Sequence, residues 1–232
     1  MYCIGIIGAM EAEVAQLKEK MTEVTIIRKA GMEFNQGILE GRKAVVVRSG
    51  ICKVNAALCT QILVDNFSVD VVINTGIAGS LRAEINIGDI VVSTDVVQHD
   101  VNAEVFGYKP GEIPQMGVLS IQADQELGNL CEKICREVNP EIGTFRGRIA
   151  SGDQFVADAE KKKWIAGEFG ACCTEMEGAA IGQASYLNEI PFVILRAISD
   201  KADDSATVDY ETFERQAIAH CVNLVTGLVK SL

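Results

Sequence analysis

The stretch YCIGIIGAMEAEVAQLKEKM, residues 2–21, changes period partway along. Tyr2 to Gly8 is a short apolar run bounded by glycine, after which Val14, Leu17 and Met21 recur at helical spacing. That predicts strand, turn, helix. The next stretch has a different pattern, with extended runs at Thr25 to Arg28, Met32 to Leu39 and Lys43 to Arg48. Gly31 and the pair Glu40-Gly41 punctuate them, which predicts an antiparallel meander.

Further along, strands and helices alternate. The pattern predicts a helix over about Val54 to Asn66, a strand from Val71 to Thr75, a Gly-rich loop, and a strand from Asp89 to Val97. An irregular stretch from His99 to Met116 carries Phe106, Gly107, Pro110, Gly111 and Pro114; loops this long in compact domains are usually functional or disordered. Helices are then expected at Asp124 to Glu137, Asp158 to Phe169 and Gly178 to Tyr186, with a last one from about Asp209. Strands fall between them at Phe145 to Ser151, Cys172 to Met176 and Phe192 to Ser199. An early meander followed by alternation predicts an α/β fold: one domain, residues 1–232, with a central mixed, twisted β-sheet covered by helices. There is no G-x-G-x-x-G, hence no dinucleotide fingerprint.

Composition narrows the function classes. With 48% hydrophobic residues the chain can bury a continuous core. A formal charge of −11 opposes nucleic acid and anionic membrane surfaces. No apolar run is long enough to span a bilayer, and Met1 to Gly8 reads as a strand without a basic flank, so the expected location is the cytoplasm. The eight cysteines lie mostly in apolar segments without C-x-x-C, and the chain has two histidines, so reduced, buried thiols are expected and no metal. Cys131 and Cys135 share one helix face, but no further ligand cluster accompanies them.

Five segments could carry chemistry, and each also has a plain structural reading. In Gly8-Ala9-Met10-Glu11-Ala12-Glu13, Glu13 falls in the first turn of a helix after a strand, where a ligand crevice is common; an acid there also simply complements the helix dipole. Asn74-Thr75-Gly76-Ile77-Ala78-Gly79-Ser80 would let a ligand approach exposed amides, or would be a tight turn. Ser151-Gly152-Asp153-Gln154-Phe155-Val156 offers an aromatic to stack on a planar base, though Phe155 could equally be core. Thr174-Glu175-Met176-Glu177-Gly178 sets two carboxylates on one face of an extended segment; they could accept ribose hydroxyls or serve as helix-start acids. Arg196-Ala197-Ile198-Ser199-Asp200 closes an apolar strand, and an arginine inside such a strand needs a buried or site partner.

Taken together, these segments resemble the nucleoside phosphorylase and nucleosidase superfamily, and within it the 5′-methylthioadenosine/S-adenosylhomocysteine nucleosidase family. The matches are IGIIGAMEAEV (Ile4 to Val14), SGICKVNAA (Ser49 to Ala57), INTGIAGSL (Ile73 to Leu81), SGDQF (Ser151 to Phe155), EMEGAA (Glu175 to Ala180) and RAISDKAD (Arg196 to Asp203). They run in order along nearly the whole chain.

The resemblance implies a three-layer, nucleoside phosphorylase-like fold, a homodimer, no cofactor or metal, and cleavage of methylthioadenosine and S-adenosylhomocysteine to adenine and a thioribose. By position, Glu13 would activate the attacking water and Asp200 would serve the adenine leaving group. Glu177 would bind the ribose hydroxyls next to Glu175, with Met176 packed on the ribose. Phe155 would stack on adenine and the Val156 backbone would read its edge. Arg196 and Ser199 would support the water and the acid, and Met10, Ala78 and Gly79 would complete the pocket. Ile51 and Tyr210 would line the thioalkyl end, while Phe106 and Pro114 would reach the neighbouring subunit's site. Ile77 departs from the serine of some relatives, which removes a possible hydroxyl contact to the sugar.

The chemistry suits such residues. Breaking a glycosidic bond to adenine puts positive charge on the ribose and negative charge on the base, so the reaction needs a protonated acid and a placed water. A phosphorylase would instead need basic groups for phosphate, and the first loop presents Glu13 and no arginine. A related aminofutalosine hydrolase, a phosphorylase of the same fold, and a non-catalytic purine-binding or purely structural module are the competing readings.

Overall fold

In the computed structural model, residues 2–200 and 210–232 are described, the side chains of residues 210–214 excepted. The first strand, β1 (Cys3–Gly8), leads into α1 (Glu11–Glu19). The meander follows as β2 (Thr22–Lys29), β3 (Met32–Leu39) and β4 (Arg42–Arg48). Next come α2 (Lys53–Phe67), β5 (Val71–Ser80) and β6 (Ile90–Gln98). The irregular stretch holds a short 3-10 turn, Glu104–Phe106, before β7 (Ile121–Gln122) and α3 (Gln125–Val138). The chain continues through β8 (Thr144–Ser151), α4 (Ala159–Phe169), β9 (Cys173–Glu175), α5 (Gly178–Leu187), β10 (Phe192–Asp200) and α6 (Tyr210–Ser231).

The strands form one mixed sheet in the order β10-β6-β8-β9-β5-β1-β4-β3-β2. Strand β1 runs parallel to both β4 and β5, whereas β2, β3 and β4 are antiparallel, as the meander requires. Strand β10 pairs with β5 as well as with β6, so five strands close on themselves, β1, β4, β3 and β2 extend from β5 as an open wing, and β7 pairs with β6.

Burial on both faces explains the apolar runs. One face packs Ile7, Phe34, Val47 and Ile194 against α2 and α5 through Leu63, Phe67 and Ile181, with Phe34 and Phe67 stacked at 5.1 Å. The other packs Ile6, Ile73 and Leu195 against α1, α3 and α6 through Val14, Leu17, Cys131, Leu224 and Val225. The result is helix, sheet, helix: a three-layer α/β domain. Cys131 and Cys135 both face this second core, and all eight cysteines are free thiols.

The expected Gly-rich loop after Thr75 is corrected by the structure: β5 runs on through Gly76 to Ser80. Arg196 to Asp200 of β10 pairs alongside it, and these ladder bonds offset the poor strand propensity of glycine. Between Ile198 and Asp200 the register slips, which makes Ser199 the extra residue of a β-bulge.

Candidate active site

The ends of β1, β5, β8, β9 and β10 converge on a concave cleft lined mostly by apolar groups with a few carboxylates, as small-molecule sites are. Met10, Glu13, Ile51, Ala78, Gly79, Phe155, Val156, Glu175, Met176, Glu177, Ser199 and Asp200 all line it.

Glu13 is in the first turn of α1 but does more than cap it. Its Oε2 accepts the N–H groups of Ala9 at 2.7 Å and Met10 at 2.9 Å, while Oε1 accepts the Ile77 N–H from β5 at 3.2 Å. The carboxyl therefore bridges two elements. Burial pushes its pKa up, against the pull of Arg196 and of these backbone bonds.

Glu175 and Glu177 divide their work. Glu175, the last residue of β9, accepts the Glu177 and Gly178 N–H groups at 3.0 and 2.8 Å and so caps α5, and it also receives the Ser151 hydroxyl and the Arg196 guanidinium. Burial opposes its charge, but Arg196 and these donors prevail and hold its carboxyl below the usual range. Glu177 occupies the N-cap position of α5 without capping it; its Oε1 accepts the Cys52 N–H at 2.9 Å. Burial first, and the Glu175 charge second, push Glu177 up to about 7.

Arg196 was expected to have a buried partner, and it has three. It reaches Glu175, the Asn74 Oδ1 at 2.6 Å and the Leu195 carbonyl at 3.1 Å. It does not line the cleft but lies beneath it, acting on the carboxylates from behind.

Asp200 sits at the end of β10, receiving the Ser199 hydroxyl at 3.1 Å and Lys162 Nζ at 3.2 Å. Phe155 lies at the lip, 72% exposed, and is not a core residue, while Val156 beside it is buried.

Phe106 and Pro114, expected to reach the neighbouring subunit's site, are not among the lining residues of this cleft. Phe106, 80% exposed, and Pro114, also exposed, lie on the long loop away from it, and the Tyr210 side chain falls outside the described residues. The sequence reading gave no role to Asn74 or Ser151, though it quoted both in candidate segments, nor to Lys162. A polar residue inside an apolar strand, as Asn74 is in Val71–Ser80, was the available signal for the first. Ile77 lines the cleft and serves Glu13 with its amide, so the departure from serine leaves the backbone role in place. Among the described residues no group of His, Cys, Asp and Glu is arranged to hold a metal ion, and no helix is long and apolar enough to cross a membrane.

Residues 3–230 match the model of the phosphorylase superfamily. A 5′-methylthioadenosine/S-adenosylhomocysteine nucleosidase of Staphylococcus aureus is 43% identical over 231 residues, covering 99% of this chain and 100% of that one. The crystal structure of the nucleosidase of that name from Neisseria meningitidis, in complex with methylthio-immucillin-A, superposes with a TM-score of 0.94 at 37% identity, covering 100% of both chains. The futalosine hydrolase of Helicobacter pylori superposes at 0.93 with 32% identity, over 100% of this chain and 98% of that one. The chain belongs to the phosphorylase superfamily, and within it to the 5′-methylthioadenosine/S-adenosylhomocysteine nucleosidase family.

Proposed function

We propose that this protein is an N-glycosyl hydrolase that cleaves 5′-methylthioadenosine and S-adenosylhomocysteine, and 5′-deoxyadenosine beside them, to adenine and the corresponding (thio)ribose. Its place is in methionine salvage and the recycling of S-adenosylmethionine by-products, in the cytoplasm. The observation that carries this reading is the convergence of Glu13, Glu177 and Asp200 on one cleft with an exposed aromatic, Phe155, at its lip.

Adenine stacks on Phe155 and the Val156 backbone reads its edge. Glu177 accepts the ribose hydroxyls, with Met176 against the sugar and Ile51 toward the 5′ substituent. As the C1′–N bond breaks, its electron pair moves to the base and Asp200 protonates the adenine ring, with Ser199 orienting the acid. Water attacks C1′ and gives its proton to Glu13, whose burial makes it a stronger base than an exposed carboxylate. Arg196 keeps Glu175 charged, and Glu175 in turn anchors the start of α5 and therefore Glu177.

Water suits this cleft better than phosphate. Glu13 and Glu177 face it, Arg196 is held by Glu175, and Lys162 reaches Asp200. The decisive experiment is incubation with methylthioadenosine in phosphate-free buffer, with free adenine followed by chromatography. Stoichiometric adenine supports the hydrolase; release only with phosphate makes it a phosphorylase; no release in either case sinks the proposal.

The likeness to the Helicobacter pylori futalosine hydrolase keeps aminofutalosine as a second candidate substrate. Comparing kcat/KM across a nucleoside panel ranks it. The active form is a homodimer in which Phe106 and Pro114 close the thioalkyl end of the neighbouring cleft, which accounts for an 80% exposed phenylalanine on the long loop. Light scattering tests the assembly.

A further inference from the structure

Three loops meet beside the cleft, and one chain of polar contacts joins them. The Cys52 N–H donates to Glu177, and the next amide, Lys53 N–H, donates to Asp153 Oδ1 at 2.8 Å. The Asp153 N–H donates in turn to Asp100 Oδ2 at 2.9 Å. Lys53 Nζ completes the ring, donating to Asp100 Oδ1 at 2.6 Å and to Gln98 Oε1 at 3.0 Å. Both members of the ion pair are largely covered, at 17% and 16% side-chain exposure, so solvent screens it less than a surface pair.

The three loops differ in how they are fixed. Gln98 and Ser151 are ladder partners of β6 and β8, so the Asp100 and Asp153 loops leave the sheet side by side. The loop before α2 crosses to them from β4, and the described contacts that tie it across are those of Cys52 and Lys53. Cys52 is held at φ 81, ψ 162, a conformation that favours glycine and persists in other residues only where the surroundings enforce it. Ile51, one residue before it, and Phe155, two residues beyond Asp153, both line the cleft. Burial opposes the Asp100 charge, but Lys53 and the Asp153 amide outweigh it, so the clasp is charged at neutral pH.

We propose that Lys53, Asp100 and Asp153 form a positioning clasp that sets the separation between Ile51 and Phe155 in the cleft, and so favours ligands that reach both residues over ligands that reach one. The inference rests on the cleft being an adenine nucleoside site. A nucleoside with a 5′ substituent reaches from Phe155 to Ile51, whereas free adenine reaches Phe155 alone. None of the three side chains touches the reacting atoms, and their effect passes through the loops they hold.

The test compares wild type with Lys53→Met and Lys53→Arg, measuring kcat and KM for methylthioadenosine, the inhibition constant of free adenine, and Tm. Lys53→Met is expected to raise KM about tenfold, with kcat and the adenine constant both within about threefold, and Lys53→Arg to recover most of the loss. Should Lys53→Met fold poorly, Asp100→Asn carries the same expectation, because it keeps the shape and removes the charge. An unchanged KM, or a KM and an adenine constant that rise together, overturns the clasp while leaving the reading of the cleft intact. A wild-type protein that releases no adenine overturns that reading, and the clasp with it.

Discussion

Arg196 grips Glu175 through Nε and Nη2, and the same Nη2 stands 3.9 Å from Glu177. One buried cation therefore serves two buried carboxylates unequally: Glu175 is held ionised, while burial and the Glu175 charge leave Glu177 near 7. Glu177 can thus change protonation state near neutrality.

The raised value of Glu177 has a stability consequence with a definite sign. The fold prefers the protonated form, so its contribution is complete below the unfolded value of 4.5 and is lost as pH rises through about 7. Glu177→Gln imitates the protonated form. Its Tm relative to wild type is expected to increase from pH 5 to pH 8, by about 2–4 °C for each kcal/mol relieved. Thermal melts across that range check it, and a difference that shrinks with pH would contradict the assignment. Turnover of the same variant should fall, because a ribose acceptor is lost.

Arg196→Met leaves Glu175 and Glu177 buried without their cation. Breaking a buried pair by removing one partner is expected to cost about 3–5 kcal/mol, read by urea unfolding. A loss below about 1 kcal/mol would mean that Asn74, Ser151 and the helix amides suffice on their own.

Glu13→Gln and Asp200→Asn keep shape and remove, respectively, a base and a transferable proton. Each is expected to lower kcat about 100-fold or more. Because burial raises Glu13, the acid limb of the wild-type kcat/KM profile should lie above the ordinary 4.5. Near-normal turnover in either variant would sink the roles given to these residues.

Gly76 owes its identity to Glu13. A Cβ there would lie 2.5 Å from Glu13 Oε1 and 3.2 Å from Arg196 Nη1. Gly76→Ala is expected to displace the carboxylate from the Ile77 amide and reduce kcat about tenfold or more. Steady-state kinetics decide it; an unaffected kcat would mean that Glu13 has room to move.

Phe155 is largely exposed at the lip of the cleft, so Phe155→Ala should leave Tm almost unchanged. Loss of stacking is expected to raise KM about threefold to tenfold. A large drop in Tm would make Phe155 a structural residue after all.

The fold was readable in the sequence where local pattern and tertiary burial agree. Val14 and Leu17 mark α1, which ends at Glu19 before Met21, and the punctuated runs of the meander fall within β2, β3 and β4. It was unreadable where distant partners decide. Glycines made the stretch after Thr75 read as a loop, and pairing with β10 and β9, both far along the chain, makes it a strand. The closure of five strands on themselves depends on β10 having two neighbours, which no local period encodes. For the site, motif order located the lining residues, but not that Arg196 sits beneath the cleft, nor that Lys162 meets Asp200.

The bulge at Ser199 has a consequence for how the chain tolerates change in length. A regular strand turns alternate residues to opposite faces, yet Ser199 and Asp200 are consecutive and both line the cleft. The bulge adds one surplus residue at this point. Chain length at this point, as much as the identity of the acid, therefore determines where Asp200 points. A single-codon deletion of Ser199 would restore alternation and leave one position facing the cleft where there are now two, whereas a deletion in the β-turn at Ala30-Gly31 would leave the cleft untouched.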